Sequence, residues 1–293
     1  MRRSLQRSAS TSAFSLPPLC RWPPRSSLLV TGPWGSIEAV ITSDVPGTWQ
    51  DLQDEAANIL RECGFAVEVE KKLQTARGEV EVDVYAEETV KGRRYVILCE
   101  CKHWASRVPQ TVIHAFRTTV SDLGANVGYV ISTSGFQAGA FAASELTNLQ
   151  LTTWLEFQNA FEESWIQEHF IKRLAEQLDP FLTYTEPLLP TWFDALPSSE
   201  QDAFIALKDK HDPMGHLVMA LSPYVRAFRH EPLPALPLKD SLHDKADSLR
   251  RIPQDVVEAT GYKQLFDLLI QHGTAAIADF RAIRDRNAMP NEE

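Results

Sequence analysis

Glu79-Val80-Glu81-Val82-Asp83-Val84-Tyr85, followed after a turn at Lys91-Gly92 by Arg94-Tyr95-Val96-Ile97-Leu98-Cys99-Glu100-Cys101-Lys102, is the stretch that decides the fold. Polar and apolar residues alternate in the first segment, the period of a strand with one face on a core. Val80, Val82 and Val84 are predicted to face inward, and Glu79, Glu81 and Asp83 outward. In the second segment Ile97, Cys99 and Cys101 share one face, while Leu98, Glu100 and Lys102 share the other. The two segments are predicted to pair as an antiparallel hairpin.

Upstream, Thr48 and Asp51 fit a capping arrangement, and Trp49, Leu52, Ala56, Ile59, Leu60 and Cys63 recur at helical spacing. Gly64 ends that helix, and Phe65 to Val69 read as a strand. Downstream, Pro109 suits a first helical turn, and Val112, Phe116, Val120 and Leu123 lie along one helix face before Gly124. Val127 to Ile131 reads as a buried strand, Ser132-Thr133-Ser134-Gly135 as a turn, Phe136 to Leu146 as a helix and Leu149 to Leu155 as a strand. Strands alternating with helices give an α/β class, with a parallel or mixed sheet covered on both faces.

The rest divides by composition. Residues 1–46 carry Arg2, Arg3, Arg7, Arg21 and Arg25 with no acid before Glu38, and read as a disordered leader, a transit peptide or an over-long gene start. Residues 47–157 form the α/β domain. Residues 158–293 read as a mainly α-helical accessory region: a helix from Gln158 to Leu178, a proline-punctuated stretch from Pro180 to Pro197, then helical patterns broken by Pro223, Pro232, Pro234, Pro237 and Pro253.

Composition narrows the function classes. A chain of 293 residues that is 44% hydrophobic can bury a sizeable core. It has no apolar run long enough to span a bilayer, so no membrane partner is expected. Four cysteines without framework spacing fit a reducing, cytoplasmic setting. A formal charge of −10 argues against binding nucleic acid through an overall positive field, yet suits an enzyme that gathers cations with carboxylates.

The chemistry concentrates on the two strands. Asp83 and Glu100, on adjacent strands with side chains on one face, can bring two hard oxygen ligands to a common cation. Lys102, two positions past Glu100, shares that face and can orient an attacking water or neutralise charge on a phosphate. Glu79 and Glu81 extend a like-charge cluster that asks for a cation. Cys99, Cys101 and His103 also alternate, but thiols on an apolar strand face read as buried hydrophobes rather than zinc ligands. Thr133 and Ser134 could bind phosphate or cap the next helix, and Gln110 could approach the catalytic face or stay solvated. Lys72, Arg77 and Arg107 are candidate phosphate contacts among the basic residues near the pair.

These residues resemble the PD-(D/E)xK nucleases, and among them the Mrr-like type IV restriction endonucleases. Ile59-Leu60-Arg61-Glu62-Cys63-Gly64-Phe65 is similar to the family's opening helix, and Val82-Asp83-Val84 to its metal-binding aspartate. Cys99-Glu100-Cys101-Lys102-His103-Trp104 resembles the E-x-K strand and its exit. Val108-Pro109-Gln110 through Phe116 and Gly128 through Phe136 are similar to the following helix and strand. The resemblance implies a restriction-endonuclease-like mixed sheet flanked by helices and a Mg2+-dependent endonuclease, with Mn2+ as substitute. Asp83, Glu100 and the backbone carbonyl of Cys101 would bind the metal, and Lys102 would be catalytic. Gln53 falls where many relatives carry an acid, and the glycines common before the aspartate are replaced by Glu79 to Val82. DNA is the implied partner and defence against foreign DNA the implied role, with a homodimer left open. A nucleic-acid-binding module without turnover and a repair or junction-resolving nuclease are the alternatives.

Overall fold

The computed structural model describes residues 40–225, 233–241 and 250–287, all within the compact unit Ile37–Glu293. The leader expected over residues 1–46 falls mostly on residues 1–39, outside the described residues. Residues 40–46 lie within the described part.

Helix α1 (Trp49–Glu62) starts at a closed capping box: Asp51 N–H donates to Thr48 Oγ1 at 3.1 Å, and Thr48 N–H donates to Asp51 Oδ2 at 2.9 Å. Its packed face begins at Leu52; Trp49, counted in the apolar stripe, is 47% exposed. Five strands follow in spatial order β1 (Ala66–Thr75), β2 (Gly78–Val90), β3 (Arg93–Lys102), β4 (Val127–Ser132) and β5 (Leu149–Thr153). The β1–β2 and β2–β3 pairs are antiparallel, and the β3–β4 and β4–β5 pairs are parallel. The sheet is therefore mixed. Lys91 and Gly92 both take positive φ, the two-residue turn that matches strand twist, and bring Val90 opposite Arg93.

Helices cover both faces. On one, α1 and the later helices bury Val84, Ala86, Ile97, Cys99, Cys101, Val127 and Ile131. On the other, α2 (Gln110–Asp122) and α3 (Ala138–Ser144) bury Val82, Tyr85, Val96, Leu98, Val130 and Leu149. The alternation along β3 matches the sequence reading; that along β2 does not. Val80 and Val82 pack on the α2 face and Val84 on the α1 face. The physical reason lies on the neighbouring strand. Glu70 has φ +52°, and the ladder skips from the pair Val69–Val84 to the pair Lys71–Val82, so both strands change face between them. Strand β1 also runs past the expected end at Val69, because its second half pairs with Glu79 to Val82.

The expected boundary at residue 157 falls inside α4 (Trp154–Trp165), which runs through a π-helical turn (Ile166–Phe170) into α5 (Ile171–Thr185). This helix starts earlier than the predicted Gln158 because Thr153 and Glu156 form a second capping box. Pro180 lies within α5 instead of breaking the chain, carried by the buried neighbours Phe181, Leu182 and Tyr184. Helices α6 (Ser198–Leu221), α7 (Leu238–Ser241), α8 (Gln254–Glu258) and α9 (Tyr262–Arg286) complete the described region. The core on the α1 face is continuous with them. Residues 40–46 form a strap across this junction. Val40 and Ile41 carbonyls accept the Tyr262 and Lys263 N–H groups at 3.0 and 2.8 Å, and the Asp44 carbonyl accepts Trp154 Nε1–H at 3.2 Å.

Packing on the α2 face leaves no room for a side chain at Gly128 on β4. A Cβ there would lie 2.6 Å from Val120 Cγ2, 2.7 Å from Leu149 Cδ2 and 2.9 Å from Phe116 Cε1. Gly128→Ala is predicted to lower stability by about 1–3 kcal/mol in urea unfolding, because this core can make room only by shifting α2. An unchanged midpoint would show that the α2 face is looser than described.

Candidate active site

The site lies where β2 and β3 part. Their last rung is Val84 opposite Cys99, and the next would set Asp83 opposite Glu100. In place of that rung, the Cys101 N–H donates to Asp83 Oδ2 at 2.7 Å. The N–H and C=O of one strand residue point toward the same neighbouring strand. The Cys101 carbonyl therefore faces the gap that holds Asp83. Lys102 Nζ lies 2.6 Å from Glu100 Oε1 and 4.0 Å from Asp83 Oδ2, with all three side chains mostly shielded from solvent. The strand end is pinned on its other side as well, since Thr133 N–H donates to the Lys102 carbonyl at 3.2 Å.

Electrostatics mark Glu100. Burial, and next the nearby Asp83 charge, push its pKa up from the ordinary glutamate value, while Lys102 opposes the shift. Two partly buried carboxylates beside one lysine concentrate negative charge here. Cys99 and Cys101 point the other way into the core, where burial raises both thiols above their usual range.

The remaining predicted residues are distributed unevenly. Glu79 and Glu81 do not join the carboxylate pair: both are exposed, Glu79 accepts from Gln74 Nε2 at 3.1 Å, and Glu81 lies 3.7 Å from Lys72 Nζ. Lys72 is thereby matched to an acid, as is Arg77 to Asp122 at 3.3 Å. Arg107 is exposed and has no ion pair among the described residues. Gln53 is buried on α1, the helix that packs against β1, β2 and β3. Gln110, in the first turn of α2, rests on α3, where its Oε1 is 2.8 Å from the position a Cβ on Gly139 would take. Thr133 is exposed. Ser134 caps no helix: the N-cap of α3 is Gln137, and Ser134 Oγ–H donates to the Ser106 carbonyl at 2.6 Å. That bond ties the β4–α3 turn to the β3–α2 loop. Sequence reasoning treats Trp104 only as part of a motif; in the fold its ring lies 5.7 Å from Lys102 Nζ and is 42% exposed.

The donor set fits a divalent cation. No three side chains of His, Cys, Asp or Glu converge among the described residues. Two carboxylates and a main-chain carbonyl, leaving positions for water and phosphate oxygens, are the open arrangement magnesium uses. The raised Glu100 pKa yields a test without any metal. The folded chain holds the Glu100 proton more tightly than the unfolded chain, so ionising it costs stability as pH rises above about 4.3. Glu100→Gln is predicted to have a higher Tm than the parent near neutral pH in chelator, with the difference vanishing as acid protonates the parent's carboxyl. A lower Tm at neutral pH would mean that pairing with Lys102 outweighs burial.

Residues 47–161 match the restriction endonuclease family model Mrr_cat. No curated protein matches the chain. One solved structure, the crystal structure of a protein of unknown function, is 18% identical with a TM-score of 0.33, covering 56% of this chain and 97% of its own. Over residues 47–161 this chain is similar to the Mrr_cat restriction endonuclease domain, and its mixed five-stranded sheet flanked by helices is consistent with a restriction-endonuclease-like α/β fold.

Proposed function

We propose that the chain is a magnesium-dependent endonuclease that hydrolyses phosphodiester bonds in DNA. The observation that carries this reading is the convergence of Asp83, Glu100 and Lys102 beside the Cys101 main chain. Asp83, Glu100 and the Cys101 carbonyl would hold the cation, with manganese as a substitute. Magnesium, when bound, supplies charge neutralisation for a phosphate and acidifies water. The Cys101 N–H fixes the Asp83 carboxylate before substrate arrives, so little reorganisation is left for the reaction. Lys102, held 2.6 Å from Glu100, is poised to hydrogen-bond the attacking water or the phosphate oxygen on which charge develops. Arg107, exposed and without an ion pair, is the best placed of the candidate basic residues to meet a neighbouring phosphate. The match to a restriction endonuclease model supports DNA as target and defence against foreign DNA as role.

The purified chain, incubated with linear, single-stranded and branched DNA, is predicted to cut in magnesium or manganese and not in chelator. Lys102→Ala and Asp83→Ala are each predicted to lose about a hundredfold or more of that rate, the scale of a positioned proton-transfer or charge-stabilising group. Cleavage that persists in both variants would overturn the assignment.

A further inference from the structure

Of the five tryptophans among the described residues, Trp154, Trp165 and Trp192 are buried, whereas Trp49 and Trp104 are 47% and 42% exposed. Trp104 stands two residues beyond Lys102. No aromatic ring among the described residues stacks on it, and the Lys102 ammonium lies 5.7 Å from the ring centroid. Exposing an indole keeps apolar area in water, which a fold can avoid by turning the ring inward.

The segment carrying this ring is anchored on both sides. Before it, His103 Nε2 hydrogen-bonds the Pro46 carbonyl at 3.2 Å; after it, the Ser106 carbonyl accepts Ser134 Oγ–H at 2.6 Å. An exposed aromatic on a fixed mount is preorganised for a flat partner, because little side-chain and loop freedom is lost on binding. The ring also lies beside Lys102, within reach of the base attached to a nucleotide whose phosphate meets the lysine.

We propose that Trp104 is a base-stacking residue of the candidate active site, and that the site prefers DNA with an unpaired nucleotide at the cleavage point. This inference rests on the nuclease reading above. In continuous duplex both faces of each base are covered by neighbours, so an indole can engage only a base that has left the stack, as in a single strand, a flap, a mismatch or a frayed end. Stacking of this kind tolerates any sequence, since every base has a π-face.

The test uses the full chain carrying Asp83→Asn to prevent turnover, with Trp104 intact or changed to Ala or Phe. Fluorescence anisotropy follows a short fluorescein-labelled oligonucleotide, offered single-stranded and as a blunt duplex. Trp104→Ala is expected to weaken single-strand binding by about five- to a hundredfold while duplex binding stays within about twofold, and Trp104→Phe to retain most of the affinity. A 2-aminopurine placed along the strand should be quenched at one position by the parent and not by Trp104→Ala. Equal losses on both DNA forms, or no loss on either, would overturn the proposal. So would unchanged binding with a reduced kcat in chains that keep Asp83, since that assigns the ring to holding Lys102. If the chain with Trp104 intact binds neither form, the nuclease reading itself fails and the stacking role with it.

Discussion

The hydrogen bond from the Cys101 amide to the Asp83 carboxylate is the contact on which the site depends. Without it the parting of β2 from β3 would leave a strand amide unsatisfied in a partly buried position, at a cost of about 1–3 kcal/mol. With it, the carboxylate is aimed into the gap and the Cys101 carbonyl faces the same way. Opposite Asp83 on β1 stands Glu70 with φ +52°, where the ladder of the first hairpin is interrupted. Asp83 thus sits between two breaks, one in each neighbouring ladder. A backbone held in a sparsely populated conformation costs on the order of 1–3 kcal/mol and clusters at functional positions, where the surroundings hold it in place.

Much of this was legible in the residues. On β3 the period of two places Leu98, Glu100 and Lys102 on one face and the cysteines on the other, because helices cover both faces and register cannot slip without exposing a core row. On β2 the same rule fails. Val80, Val82 and Val84 look like one inward row, yet the distortion at Glu70 and Asp83 moves the first two to the opposite face. Nothing in the residue types of Glu70 announces a positive φ, since glycine or asparagine is the usual signal. The failure removes Glu79 and Glu81 from the predicted acidic cluster, leaving two carboxylates instead of four. Ser134 is a second instance: a serine before a helix suggests a cap, but its hydroxyl ties two loops together instead.

The helical region is bound to the α/β domain more closely than its different composition suggests. Glu62, at the end of α1, accepts Trp165 Nε1–H at 2.5 Å and lies 3.4 Å from Lys263 Nζ on α9. Residues 40–46 cross from the start of α9 to the Pro46 carbonyl that meets His103, next to the lysine of the site. The mount of the E-x-K strand end is therefore built partly by residues outside the hairpin. Thr42 N–H donating to the buried Gln158 Oε1 at 2.8 Å fixes the middle of that strap.

The most direct measurement of the central claim is manganese binding, followed by the loss of the free-ion electron paramagnetic resonance signal as the metal-free chain is added. If Asp83 and Glu100 form one cation site, the parent chain removes manganese from solution, magnesium competes for the same site, and Asp83→Ala and Glu100→Gln each abolish or sharply weaken the binding. Binding that survives both substitutions, or a parent chain that takes up no manganese, would contradict it.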